Sequence, residues 1–186
     1  MARFVVPYSS LAVLLVCTAI SGCAGAGPWG AAREYAPLGA EEDAAVGAKD
    51  FDPVMVGRFF QQWVGKSVSV FGVVDDYGVD ASGEANLLLS VRVLQDRNLC
   101  EDAAEDTCKV TVSENEFATI NARVNLLPSE LNGPDRLTRG SLVRVIGKVA
   151  QATDPKSGNY VINTVYHRHW PLQHFVTTAA RSYMLR

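Results

Sequence analysis

The segment Tyr166-His167-Arg168-His169-Trp170-Pro171 is the part of the chain whose residue types and spacing most invite chemistry, with His174 close behind. His167 and His169 stand two apart, so on a strand both imidazoles point to one face, where they could hold a transition metal or contact haem. The same stretch supports a plainer reading, a polar and aromatic strand edge. Tyr166, Arg168 and Trp170 could also serve as a contact patch, since aromatics and Arg are enriched at interfaces. A second candidate is Asp75-Asp76-Tyr77-Gly78-Val79-Asp80-Ala81-Ser82-Gly83-Glu84, with four acids and no base. Carboxylates suit calcium, but Tyr77 falls where an EF-hand needs an oxygen ligand, so the segment reads as a solvated hairpin loop. No nucleophile elbow, phosphate-cradling glycine loop, zinc motif or Cys-x-x-Cys pair occurs. No catalytic residue, metal site or cofactor is therefore expected.

The amino-terminal residues bear on where such a chain works. Arg3 precedes Leu11 to Ile20 (LAVLLVCTAI), an apolar run of ten residues. That is half of the roughly 20 needed to span a bilayer, and it suits the core of a signal peptide. Ile20-Ser21-Gly22-Cys23 follows and resembles the lipobox of bacterial lipoproteins, with Ile in place of the usual Leu. The resemblance implies cleavage after residue 22 and a diacylglyceryl group on the Cys23 thiol, with a further acyl chain on its amine (palmitate-type modification). Two or three chains anchor stably where a single one does not. Ala24, in place of Asp, points to the outer membrane by the sorting rule of enteric bacteria. The implied location is the bacterial cell envelope, lipid-anchored and facing the periplasm. In that oxidising compartment Cys100 and Cys108, with seven residues between them, are expected to form a disulfide worth about 2–3 kcal/mol.

The elements that must position these residues follow. Residues 23–49, rich in Ala, Gly and Pro, read as a flexible tether with a reach of roughly 25–30 Å. Trp29 and Tyr35 within it either touch the membrane interface or the domain, or hang free. Asp52-Pro53 starts a helix, with Val56, Phe59, Phe60, Trp63 and Val64 as its apolar stripe and Gly65 as its end. Period-two alternation then marks strands at 66–74, 86–94, 108–113, 141–149 and 160–168. Between the third and fourth, Ser113-Glu114-Asn115-Glu116 reads as a capping box, and Phe117, Ile120 and Val124 follow at helical intervals. Residues 50–170 thus form one domain, with 171–186 as an extension.

Three strands, a helix and two strands is the order of a mainly β, five-stranded Greek-key barrel, the OB-fold, here with a preceding helix. The phrases GKSVSVFGVV and GSLVRVIGKV resemble the glycine-valine patterns of bacterial envelope OB-fold proteins, including the tRNA-anti-like family. The likeness covers about residues 50–170 and implies fold, not ligand. OB-folds bind across their second and third strands, where a nucleic-acid site needs a positive groove with exposed aromatics. The net charge of −3, the acidic segment 75–84 and the acidic run Glu101 to Asp106 argue against phosphates there. The sequence expectation is accordingly a noncatalytic, lipid-anchored adaptor for another envelope protein or a cell-wall or glycan component, with no nucleic-acid partner. Two alternatives are a metal or haem carrier using His167 and His169, and an unrecognised hydrolase.

Overall fold

A computed structural model describes residues 34–80 and 83–185. The expected signal segment and Cys23 lie outside them. Two short helices, α1 (Gly39–Ala45) and α2 (Pro53–Arg58), flank β1 (Lys49–Asp50), and α3 (Phe60–Trp63) follows. Asp52 caps α2 as its sequence predicts, its Oδ1 accepting the N–H groups of Val54 and Met55 at 2.9 and 3.0 Å. The expected single helix is broken at Phe59, and its stripe still works: Val56 is buried in the core while Phe60 and Trp63 pack against it.

Five strands close the barrel: β2 (Ser67–Val79), β3 (Glu84–Arg92), β6 (Thr119–Asn125), β8 (Val161–Trp170) and β7 (Leu142–Val149). They are hydrogen-bonded in that order, β7 returns to β2, and the β6–β8 pairing is parallel. This is the OB-fold. The inward positions of the alternating pattern, among them Val68, Val70, Leu87, Leu89, Ile120, Val124, Val143 and Val145, make the main core. Gly147 sits at the β7–β8 bulge, where a Cβ would meet the Asn163 carbonyl and lie 2.8 Å from Thr164 Cα. Only glycine permits that approach.

Two assignments move. The third barrel strand is β6, in the segment whose Phe117, Ile120 and Val124 suggested a helix. Ile120, Ala122 and Val124 alternate inward, and paired neighbours on both sides select the extended form. The helix between the third and fourth barrel strands is instead the single turn α4 (Pro128–Leu131). The expected third strand, β5 (Cys108–Val112), joins β4 (Leu99–Cys100) and β9 (Phe175–Thr177) in a separate small sheet. Cys100 and Cys108 face each other across β4 and β5 and form the disulfide. The carboxy-terminal residues dock there: Leu185 exchanges backbone hydrogen bonds with Cys100, and Ala180 and Met184 bury against Leu99.

Residues 34–49, expected to be tether, carry α1 and pack on the barrel. Tyr35 lies edge-on to Phe71 and Trp170, with ring centroids 5.6 and 6.0 Å away. Glu41 has no exposed surface.

Candidate functional site

The outer surface of β3 and β6 is flanked by the short β2–β3 turn and by the loop joining β7 to β8. Register puts Asn86 beside Arg123 and Leu88 beside Asn121 on the side away from the core. A hydrogen-bond network ties the β7–β8 loop to this face. The Asn121 amide donates to Asn86 Oδ1 at 3.1 Å, and Asn121 Oδ1 accepts from the Asn159 amide, also at 3.1 Å. Ser157 lies within bonding distance of both Asn121 and Asp154, whose Oδ1 accepts the N–H groups of Lys156 and Ser157.

The loop separates two hollows. One, of about 310 Å³, lies over Tyr77, Asn86, Leu88, Asn121 and Lys156, with Asp76 and Asp154 also in its wall. The other, of about 680 Å³, has Arg123 and Lys148 in its wall and no carboxylate. Among the described residues neither Arg123 nor Lys148 has an ion-pair partner.

The acids that sequence counting set against phosphate are placed otherwise than a loop of free carboxylates. β2 runs on to Val79 and β3 begins at Glu84, with the Gly83 N–H bonded to the Asp80 carbonyl at 3.1 Å between them. Asp76 is held by Arg139, Nη2 to Oδ1 at 2.6 Å, and this guanidinium keeps its carboxyl below the usual range. Asp80 Oδ1 accepts the Glu84 N–H at 3.1 Å, closing the turn. Asp75 is pushed up by burial and by Glu116.

The segment singled out by sequence is occupied by the chain itself. On one side of β8, Trp170 is fully buried, and Arg168 lies over its ring at 4.7 Å and reaches Glu41 Oε2 at 3.3 Å. Tyr166 is half-buried, with burial and then Glu41 raising its phenol. The expected contact patch is thus largely covered by residues 34–45. On the other side, His167 and His169 both meet Glu130, and among the described residues no group of three or more His, Cys, Asp or Glu is arranged to hold a metal. Sequence reasoning missed Arg123, Lys148, Asn86 and Asn121, which carry no local motif, and also Glu41 and Glu130.

No protein-family model and no curated protein sequence matches the chain. Among solved structures it is similar to replication protein A of U. maydis bound to ssDNA, at 16% identity and a TM-score of 0.32, covering 67% of this chain and 74% of that one. It is also similar to a small single-stranded DNA-binding protein from Streptomyces coelicolor, at 16% identity and a TM-score of 0.36, covering 57% and 93%. The expectations of an envelope adaptor and of no nucleic-acid partner are withdrawn. Their physical fault is visible in the site: a charge count took Asp76 and Asp80 as free, and it overlooked Arg123 and Lys148, which wall a hollow with no carboxylate in its lining. A likeness this distant carries no ligand assignment of its own.

Proposed function

We propose that the chain is a noncatalytic OB-fold module that holds a short stretch of single-stranded nucleic acid across β3 and β6. The observation that carries this reading is the hollow walled by Arg123 and Lys148 without a carboxylate, next to Lys156 across the β7–β8 loop. Phosphates follow the three cations. Bases lie toward Tyr77, Leu88 and the amides of Asn86 and Asn121, as grooves for single strands combine charge with stacking. One aromatic and a net negative chain make the affinity modest and strongly salt-dependent.

The test is fluorescence anisotropy of a labelled single-stranded oligonucleotide of about 12 nucleotides, within the site size of one OB-fold. Binding is expected between about 1 and 100 µM, weakening as salt rises, and lost in the paired variant Arg123→Glu, Lys148→Glu. No binding at about 100 µM protein in low salt overturns the reading. Equal binding by the paired variant does the same.

The location is a separate proposal. Ile20-Ser21-Gly22-Cys23 supports a lipid anchor in the bacterial envelope, and the Cys100–Cys108 disulfide accords with an oxidising compartment. Labelled palmitate should enter the wild-type protein and not Cys23→Ser; an unmodified wild-type chain retaining Met1 removes the anchor.

A further inference from the structure

The turn α4 and the loop after it are held to β8 through one buried carboxylate. Glu130 Oε2 accepts the Leu127 N–H at 2.7 Å. His167 Nε2 lies 2.9 and 3.0 Å from the two carboxylate oxygens, and His169 Nδ1 lies 3.0 Å from Oε1. The other nitrogen of His169, Nε2, stands 2.7 Å from the carbonyl oxygen of Asp135.

These distances decide a protonation state. A carbonyl oxygen only accepts, so His169 Nε2 must carry hydrogen. An ionised carboxylate only accepts too, so Nδ1 must carry one as well. Glu130 is the ionised partner: burial opposes its charge, but the hydrogen bonds from His167, His169 and Leu127 outweigh burial and hold it well below the usual carboxylate range. An imidazole bearing hydrogen on both nitrogens is a cation. For His169 burial acts to lower its affinity for the proton, and the bonds to Glu130 and to the Asp135 carbonyl overcome that, raising it.

We propose that His169 is a pH-sensitive latch: as an imidazolium it ties Glu130 of α4 and Asp135 of the following loop to β8, and loss of one proton releases residues 132–136 while the barrel stays closed. The titratable groups facing it are Glu130 from α4, Asp135 from the loop and His167 from its own strand. Its neighbours on β7, Val143 and Val145, are uncharged, and Arg144 and Arg168 reach Glu41 instead. Leu137 limits the opening, because it is buried in the core and its N–H bonds the Glu130 carbonyl at 2.8 Å.

The direction follows from linkage. A group whose affinity for the proton is raised by folding contributes fully below its unfolded value, about 6.5 for His, and the contribution fades as pH rises through the folded value. Amide hydrogen exchange, corrected for intrinsic rates, is followed from about pH 6 to about pH 9. Protection of the Asn132 amide, which bonds the Pro128 carbonyl at 3.1 Å, should fall by about 2- to 10-fold, the effect of one lost hydrogen bond, while β2, β3 and β7 keep theirs. His169→Gln should abolish the pH response, and His167→Gln should leave it in place. Imidazole nitrogen shifts at about pH 7 should show both His169 nitrogens protonated. A single neutral tautomer, pH-independent exchange in the wild type, or an undiminished response in His169→Gln overturns the latch.

Discussion

Two carboxylates, Glu41 and Glu130, sit against opposite faces of the same strand, β8, and are built alike at their own ends. Each is the third residue of a short helix and accepts the N–H three residues earlier, at 3.1 Å from Leu38 and at 2.7 Å from Leu127. That is the carboxylate half of a capping box. Their partners differ. Glu41 receives Arg144 at 2.6 Å and Arg168 at 3.3 Å, plus the Tyr35 hydroxyl, whereas Glu130 receives two imidazoles. Guanidinium stays charged throughout the physiological range and imidazole does not. One strand therefore carries a permanent lock on the amino-terminal arm and a titratable latch on α4. The alternation of β8 is what separates them.

The sharpest test of the lock is its removal. Glu41→Ala leaves Arg144 and Arg168 without their buried counter-charge and should cost about 3–5 kcal/mol in urea unfolding at neutral pH. Glu41→Gln keeps the shape and part of the hydrogen bonding, and should cost less. A loss below about 1 kcal/mol for Glu41→Ala would class this cluster with exposed ion pairs and end the contrast.

Glu130→Ala comes next, at about 1–3 kcal/mol near pH 7, because His169, unlike a guanidinium, can shed its charge when the carboxylate is gone. The two costs should diverge with pH. Both carboxylates are held below their usual range: for Glu41, burial is outweighed by Tyr35, Arg144 and the Leu38 N–H. Each contributes fully above the unfolded value of about 4.3, and the contribution is lost as pH falls through the folded one. On the alkaline side only Glu130 is affected, since its partner His169 deprotonates while the arginines do not. The cost of Glu130→Ala should therefore shrink from about pH 6.5 upward, with that of Glu41→Ala flat. Stability curves of the two variants that run parallel across this interval would break the comparison.

Much of the barrel was legible because apolar residues alternate toward its core along the strands. Val143, Val145, Gly147 and Val149 against Arg144 and Lys148 admits no helical reading, and β2, β3 and β8 read similarly. β6 was misread because Ala122, small and between Ile120 and Val124, hides the alternation and leaves a spacing that also fits a helix; paired neighbours on either side decide. Nothing local separates Glu41 from Glu42. Its partners lie 103 and 127 residues away, so its role is a property of the assembled barrel. Glu130 is different: Leu127-Pro128-Ser129-Glu130 places Pro at the first helical position and Glu at the third, a readable start. The two histidines were seen, but the carboxylate that engages them was not. The proposed binding face was hidden for a related reason, because Arg123, Lys148 and Lys156 are isolated cations in sequence and line adjoining hollows only after folding.

The smallest effect on stability belongs to Asp76 and Arg139, an ion pair exposed on both sides. Such a pair loses its Coulomb gain to solvent and to the ordering of two side chains. Arg139→Ala should leave the urea midpoint unchanged within error, in contrast to both carboxylates on β8. Its effect should appear in binding. Asp76 lines the same hollow as Asn86 and Lys156, and Arg139 is what offsets its charge there. Without that guanidinium an ionised carboxylate faces the proposed phosphate path, so oligonucleotide affinity should fall by about 2- to 5-fold at low salt, and the difference should vanish at high salt. The reciprocal variant, Asp76→Asn, should raise affinity under the same conditions. If neither substitution moves the anisotropy curve, Asp76 is remote from the ligand, and the oligonucleotide follows only the Arg123 and Lys148 side of the loop.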